Sequence, residues 1–152
     1  MSNTHADLLS NLRNAFTTEG PAAALGMVMQ HFEADGGTIH LLGEDGNLHL
    51  KANLPEMPPD LLKIISIIPV GKGMAGLAVQ RGVPVQSCNI QTDDTGDVKP
   101  GAKKTGLQGS TCVPILRGER AVGALGVGTV AEHTYTDEEN ELLMEMGRQL
   151  CD

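Results

Sequence analysis

The stretch GKGMAGLAVQRGVPV (71–85) restricts the fold of this chain more than any other feature of its sequence. Its first six residues spell G-x-G-x-x-G directly after the strand-like run SIIPV, as in the turn of a dinucleotide-binding βαβ unit. Gly82 and Pro84 then end any helix after about eight residues, which span only about 12 Å. Because a parallel crossover needs a longer connection, the next strand-like run, VPVQS, arrives too early. We therefore predict that the glycines form a tight entry from a strand into a short helix and bind no dinucleotide.

Four further β-like runs form two pairs, and each pair predicts an antiparallel hairpin. The runs are TIHLL (38–42), NLHLKA (47–52), STCVPIL (110–116) and RAVGALGVGT (120–129). The first pair flanks Asp45-Gly46, which is a strong hairpin signal, and the second pair is joined by a short polar turn around Gly118. Together with SIIPV and VPVQS, these runs supply six candidate strands.

Amphipathic helices are predicted at both ends of the chain, with shorter helices between them. The predicted helices cover 5–16, 21–33, a short segment after the prolines at 55, 58 and 59, then 74–81, and the segment that follows Thr136. Thr136 and Glu139 have the spacing of a capping box, which marks the start of the last helix. The apolar stripes of the two terminal helices consist of Leu8, Leu9, Leu12 and Phe16, and of Leu142, Leu143, Met146 and Leu150. The two terminal helices therefore carry matching stripes.

The charge and hydropathy of the chain exclude several classes of partner. The formal net charge of -8 argues against nucleic acid, because binding a phosphate backbone requires clustered Lys and Arg. The one local basic cluster, Lys99, Lys103 and Lys104, could hold a small anion or form a solvated loop. The sequence has no apolar run long enough to span a membrane, and its N-terminus lacks the pattern of a signal peptide. We expect a cytoplasmic protein of one domain, covering 1–152, with no membrane partner.

The cysteines and histidines show no metal-binding pattern. Cys88, Cys112 and Cys151 are odd in number, include no C-x-x-C pair, and are expected to be reduced thiols. His40 and His49 each lie in the middle of a predicted strand, so either could point into a cavity as a haem or metal ligand. A satisfied or solvent-facing histidine is the preferred interpretation of both.

Four motifs, in a fixed order between about 20 and 150, resemble those of the GAF domain family of small-molecule sensing domains. The segment 71–84 resembles the family's G-x-G-x-x-G…G-x-P stretch, and 106–115 contains its "G…S…VP" strand. The segment 122–127 is similar to the family's "iGvLgv" strand, and 135–140 is similar to the start of its last helix. Each motif alone is weak, but all four occur in the order found in the family.

This resemblance implies an α+β fold with α/β/α layers. The fold consists of a six-stranded antiparallel sheet with the terminal helices on one face and short helices and loops over a ligand cavity on the other. By their position in the family, the residues expected to line that cavity are His40, Met74, Thr105, Leu107, Ser110 and Cys112. The ligand and any cofactor are left unassigned, because GAF domains bind many compounds and the fold alone does not choose among them.

Several ligand branches of the family fit this sequence poorly. The thiol position of the bilin-binding branch falls near Asp97, and the Asn-Lys pair of the cyclic-nucleotide branch is absent. The branch that reduces free methionine-R-sulfoxide carries cysteines where this chain has Ala75 and, approximately, Lys103. Cys88 and Cys112 would have to replace them as nucleophile and resolving thiol.

The preferred hypothesis is a non-catalytic sensor that binds a small molecule or anion. It would signal through its terminal helices to a separate protein and would be a homodimer formed by those helices. The alternative is a dimerisation or docking module whose cavity is vestigial and whose working surface is the pair of apolar stripes. A methionine sulfoxide reductase is the third, disfavoured possibility.

Overall fold

The computed structural model describes residues 4–55, 57–87, 91 and 106–151. Within these residues the helices are α1 (Thr4–Thr18), α2 (Pro21–Phe32), α3 (Pro59–Ile65), α4 (Gly73–Arg81) and α5 (Asp137–Gly147). The strands are β1 (Gly36–Leu42), β2 (Asn47–Leu54), β3 (Ile67–Pro69), β4 (Val85–Ser87), β5 (Gly109–Arg117) and β6 (Arg120–Thr129). All the predicted helices and strands are present.

The six strands form a single antiparallel sheet in the order β3-β2-β1-β6-β5-β4. Both predicted hairpins, β1–β2 and β5–β6, are confirmed. The short strands from SIIPV and VPVQS are the two edges of the sheet, so the helix between them links opposite edges. The strand that follows the glycine motif is therefore not a parallel neighbour of the strand that precedes it, and the motif does not belong to a βαβ unit.

Two apolar clusters lie on opposite faces of the sheet, as the alternation of side chains along β5 shows. Thr111, Val113 and Ile115 face the layer formed by α1, α2 and α5, whereas Ser110 and Cys112 face α4. The α+β fold with terminal helices on one face and short helices on the other is therefore confirmed.

The terminal stripes are packed inside this chain. Leu12, Leu143, Met146 and Leu150 are fully buried in the core beneath the sheet, and Leu8, Phe16 and Leu142 pack against that core. Arg13 of α1 donates hydrogen bonds to the backbone carbonyls of Gln149 and Cys151, which joins the first helix to the end of the last one. The amphipathic pattern is thus accounted for by the monomer's own core.

The glycine turn has the role predicted for it. Gly71 and Gly73 adopt φ values of 91° and 66°, which only glycine adopts without strain. A Cβ on Gly76 would lie 2.5 Å from the Pro69 carbonyl oxygen, so the helix can approach β3 only with glycine at this position. The capping box of α5 is also confirmed, since Thr136 accepts from the Glu139 amide while the Glu139 carboxylate accepts from the Thr136 amide.

The first strand begins two residues earlier than predicted. Gly36 and Gly37 have low intrinsic strand propensity, yet both pair with β6. A Cβ on Gly37 would lie 2.9 Å from Leu25 Cδ1 and 3.0 Å from the Gly126 carbonyl oxygen. Close packing against α2 therefore places glycine in this strand, a tertiary effect that local propensity does not show.

Candidate functional site

A partly open cavity of about 240 Å³ lies between the sheet and its cover of α3, β3 and α4. The sheet side consists of cavity-facing positions of β1, β5 and β6, together with Leu107 just before β5. Most of the wall is apolar; its polar side chains are Thr38, His40, Lys72, Ser110 and Cys112. Such a cavity, apolar with a few polar groups that converge on it, is the usual form of a small-molecule site.

Five of the six residues predicted to line a ligand cavity line this one. They are His40, Met74, Leu107, Ser110 and Cys112. The sixth, Thr105, lies outside the described residues. The residues come from three separate segments of the chain, namely β1, α4 and the stretch 107–112, and the fold brings these segments together.

Glycines make the floor of the cavity flat. Gly36 of β1 lies opposite Gly128 of β6, and the Leu107 side chain rests over this pair. A Cβ on Gly128 would lie 2.7 Å from Leu107 Cδ1. Two residues along β6, a Cβ on Gly126 would lie 3.0 Å from Cys112 Sγ. The sequence analysis did not identify these residues as part of the site, although glycine at alternate positions 126 and 128 of a strand was a usable signal.

His40 is the only titratable side chain on the sheet floor besides Cys112, among the described residues. It is 2% exposed, and its Nε2 lies 2.8 Å from the Ile65 carbonyl oxygen at the end of α3. Its Nδ1 is buried and has no hydrogen-bond partner in the described part of the chain. Burial lowers the pKa of His40, and the bond to Ile65 only partly offsets that effect. The ring is therefore neutral near pH 7.

Cys112 faces the same cavity but is chemically inert in this setting. The thiol is buried, and desolvation raises its pKa to about 12. Since the thiolate is the nucleophilic form of cysteine, Cys112 is protonated and unreactive near neutral pH. Cys88, the other thiol considered from the sequence, lies outside the described residues.

The cover of the cavity is less complete at α3 and β3 than at α4. Met74 and Ala75 of α4 are buried, whereas Ile64 and Ile67 are 48% and 50% exposed. All four residues line the cavity. The exposed isoleucines therefore mark its mouth, beside the edge strand β3.

Of the histidines whose side chains the structure describes, only His40 lines this cavity. His49 Nε2 lies 2.9 Å from Asp45 Oδ1 in the β1–β2 turn, and this hydrogen bond lowers the pKa of Asp45. His133 lies 3.4 Å from Glu139 on the opposite side of the sheet. Within 4–55, 57–87, 91 and 106–151, no three histidine, cysteine or carboxylate side chains are grouped so that they could hold a metal ion.

A second depression, of about 660 Å³, lies between the end of α2 and the start of α5. It is larger but more open, and it is lined mainly by polar side chains such as Glu33 and Glu138. Thr136 and Glu139 in its wall already bond each other in the capping box. We therefore take the cavity between the sheet and α4 as the candidate site.

Comparison with protein families shows to which family this chain belongs. A family model described as "GAF domain" matches residues 22–150. The chain belongs to the GAF family. Among curated proteins, no sequence matches this GAF domain. In its described part, no helix is both long enough and apolar enough to cross a membrane.

Solved structures share the fold of this GAF domain at low sequence identity. The GAF domain of an Acinetobacter phosphoenolpyruvate-protein phosphotransferase is 20% identical, with a TM-score of 0.77, over 99% of this chain and 92% of that one. A free methionine-R-sulfoxide reductase from Neisseria meningitidis, in complex with its substrate, is 16% identical, with a TM-score of 0.75, over 99% and 89%. A putative GAF sensor protein from Burkholderia vietnamiensis is 14% identical, with a TM-score of 0.74, over 96% and 90%. At these identities the likeness shows the fold alone, since the similar structures include a reductase as well as a protein described as a sensor.

Proposed function

We propose that this GAF domain is a non-catalytic sensor that binds a small molecule or anion in the cavity between the sheet and α4 and signals through its terminal helices. The observation that carries the proposal is the cavity itself, whose mostly apolar wall brings together the polar side chains of Thr38, His40, Ser110 and Cys112. A small molecule bound there would cover the apolar wall and meet those polar groups, as ligands do in sites of this kind. The candidate binding residues are His40, Met74, Leu107, Ser110 and Cys112. Thr105, which lies outside the described residues, is also proposed, because of its position in the family motif.

Strand β5 supplies a route from the cavity to the last helix. Ser110 and Cys112 face the cavity, and Thr111 between them points to the other face of the sheet. There Thr111 Oγ1 lies 2.8 Å from Oδ1 of Asn140, on α5. A ligand that shifts β5 would therefore act on α5 through a buried hydrogen bond. A separate cytoplasmic signalling protein would read this change at the terminal helices.

Catalysis by thiol attack is disfavoured by the state of Cys112. A pKa of about 12 leaves almost no thiolate at neutral pH, and reduction of a sulfoxide by cysteine requires a nucleophilic sulfur. This chain shares its fold with methionine sulfoxide reductases, but Cys112 is therefore poorly suited to act as the nucleophile of such a reaction. Turnover of free methionine-R-sulfoxide with a thiol reductant, in the wild type and in Cys88→Ser and Cys112→Ser, is the direct check.

The first experiment is native mass spectrometry of the protein as isolated from cells, compared with its denatured mass. We expect a non-covalent adduct whose mass identifies the ligand. Ser110→Leu would fill the cavity and abolish the adduct. Ser10→Leu, the same change on the exposed face of α1, is the matched control and should retain it. An adduct that survives Ser110→Leu would place binding elsewhere and refute this site.

Homodimerisation through the terminal helices remains a prediction. Leu12, Met146 and Leu150 are fully buried within one chain, so they do not require a partner to cover them. The alternative of a docking module built on these stripes is weakened for the same reason. Light scattering coupled to size exclusion, before and after removal of residues 1–16, measures the association directly.

A further inference from the structure

We infer that the ligand places a neutral hydrogen-bonding group, such as a hydroxyl, carbonyl or amide, against the side-chain hydroxyl of Thr38, and that the rest of the ligand is compact, uncharged and mostly apolar. This inference rests on the proposed function and specifies the chemical class of the ligand. It narrows the expectation of a small molecule or anion to an uncharged molecule.

The side chain of Thr38 projects from the cavity face of β1. Its neighbour Gly37 has the opposite orientation, since a Cβ there would lie 2.9 Å from Leu25 of α2. Successive side chains of a strand alternate between its faces, so Thr38 lies on the same face as His40, and both residues line the cavity. Thr38 Oγ1 lies 3.1 Å from the position that a Cβ on Gly126 of the paired strand β6 would occupy. The hydroxyl therefore leans over the cavity floor.

This hydroxyl is available to a ligand. It has no hydrogen-bond partner in the described part of the chain and, in contrast to Nδ1 of His40, it is not fully buried. The other hydroxyl of the described wall, that of Ser110, already donates to the Val127 carbonyl at 3.2 Å. The thiol of Cys112 is protonated, and a thiol is only a weak hydrogen-bond donor. Thr38 is therefore the neutral side chain of this wall that is best placed to hold a polar group.

The charges around the cavity favour an uncharged ligand. No carboxylate is present among the described residues of its wall, and Lys72, the one permanently charged residue there, is exposed. Burial lowers the pKa of His40, so its ring is neutral near pH 7. A charged group beside Thr38 would lose its hydration without gaining a buried counter-charge, which is costly. The volume of about 240 Å³ lies below the usual range for drug-sized ligands, so the molecule is also compact.

The variant Thr38→Val tests the hydrogen bond. Valine keeps the branched shape and removes only the hydroxyl, which has no partner to lose, so the variant should be as stable as the wild type in urea. Phenol and toluene would be titrated by calorimetry into the wild type, Thr38→Val and Thr38→Ser. We expect Thr38→Val to weaken phenol binding about fivefold to tenfold, the worth of one good hydrogen bond, and to change toluene binding by less than about twofold.

Thr38→Ser is the matched control, because serine keeps the hydroxyl, and it should retain the wild-type ratio of phenol to toluene affinity. The same ratio in Thr38→Val as in the wild type would overturn the inference while leaving the cavity as a binding site. So would a ratio that falls equally in Thr38→Ser and Thr38→Val.

Benzamide and benzoate test the requirement for an uncharged ligand, since they have nearly the same shape and differ in charge. We expect the wild type to bind benzamide at least about tenfold more tightly than benzoate. Benzoate binding as tight as that of benzamide, or tighter, would overturn the inference. Failure of all four probes to bind, together with wild-type protein isolated without any adduct, would refute the proposed function and the inference with it.

Discussion

Thr111 Oγ1 donates a 2.8 Å hydrogen bond to Oδ1 of Asn140 across the interface between β5 and α5. Both residues are buried, with 0% and 5% of their surface exposed. The bond lies directly behind Ser110 and Cys112, which line the cavity on the opposite face of the same strand. A displacement of β5 would therefore alter this hydrogen bond and so change the position of the last helix.

The first prediction concerns the energy of this pair. Thr111→Val should lower the free energy of unfolding by about 1–3 kcal/mol, because it leaves the Asn140 amide oxygen buried without its donor. The double variant Thr111→Val/Asn140→Leu should recover part of this loss, since both polar groups are then gone. Urea denaturation of the two single variants, the double variant and the wild type gives the coupling energy. Strictly additive losses would mean that the two side chains do not interact.

The second prediction concerns stability against pH. His40 has a lowered pKa in the folded protein, so the unfolded chain takes up its proton first as the pH falls below 6.5, the ordinary value. The contribution of neutral His40 is complete above about pH 6.5 and is lost as the pH falls toward the folded-state value. The slope attributable to this one group is at most about 1.4 kcal/mol per pH unit.

The His40→Gln variant isolates this effect from the other histidines. The glutamine side chain does not titrate. The unfolding free energy of the wild type minus that of the variant should therefore fall as the pH is lowered from 7.5 to 5.5. Urea midpoints at each half unit of pH measure it. A difference that stays constant over this range would show that His40 titrates alike in the folded and unfolded chain.

Much of the fold was predictable because its signals are local. The capping box at Thr136 and the Asp45-Gly46 turn each define a boundary through residues adjacent in sequence, and both occur as predicted. The features that sequence analysis missed depend on distant partners. Gly36 belongs to β1 because it pairs with Gly128 of β6, and the residues next to Gly36 in the sequence give no indication of this pairing.

The candidate site was predicted by family position and not by its chemistry. Nothing in the run TIHLL shows that Nε2 of His40 would meet the Ile65 carbonyl, because α3 follows only after a second strand. The state of Nδ1 and the inertness of Cys112 are consequences of burial in three dimensions. Residue types could therefore be listed from the sequence, but their protonation could not.

The third prediction concerns the glycine floor of the cavity. Gly128→Ala should destabilise the protein by up to about 1 kcal/mol, because the new methyl group meets Leu107 Cδ1 at 2.7 Å and the half-buried leucine side chain must turn aside. Leu107→Ala in the same chain should relieve most of this cost relative to Leu107→Ala alone. Thermal or urea unfolding of the four proteins measures the relief. A penalty for Gly128→Ala that is the same with Leu107 and with alanine would locate the strain elsewhere.

The fourth prediction concerns the capping box of α5. Thr136→Ala removes the hydroxyl that accepts from the Glu139 amide at 3.1 Å, and should cost about 1 kcal/mol of stability. Thr17→Ala, on the exposed last turn of α1, is the matched control and should change the stability little. Urea unfolding distinguishes the two. Equal effects would show that the cap adds nothing beyond the loss of a threonine.

The fifth prediction concerns Tyr135. Its hydroxyl is buried without a hydrogen-bond partner among the described residues. Its ring packs edge-on against the ring of His133, with centroids 4.4 Å apart. Tyr135→Phe keeps the ring and removes only the unpaired hydroxyl, so the free energy of unfolding should stay unchanged or rise by up to about 1 kcal/mol. Tyr135→Leu loses the ring contact as well and should be destabilising. Urea unfolding of both variants provides the comparison. A loss of more than about 1 kcal/mol in Tyr135→Phe would mean that the hydroxyl makes a stabilising hydrogen bond after all.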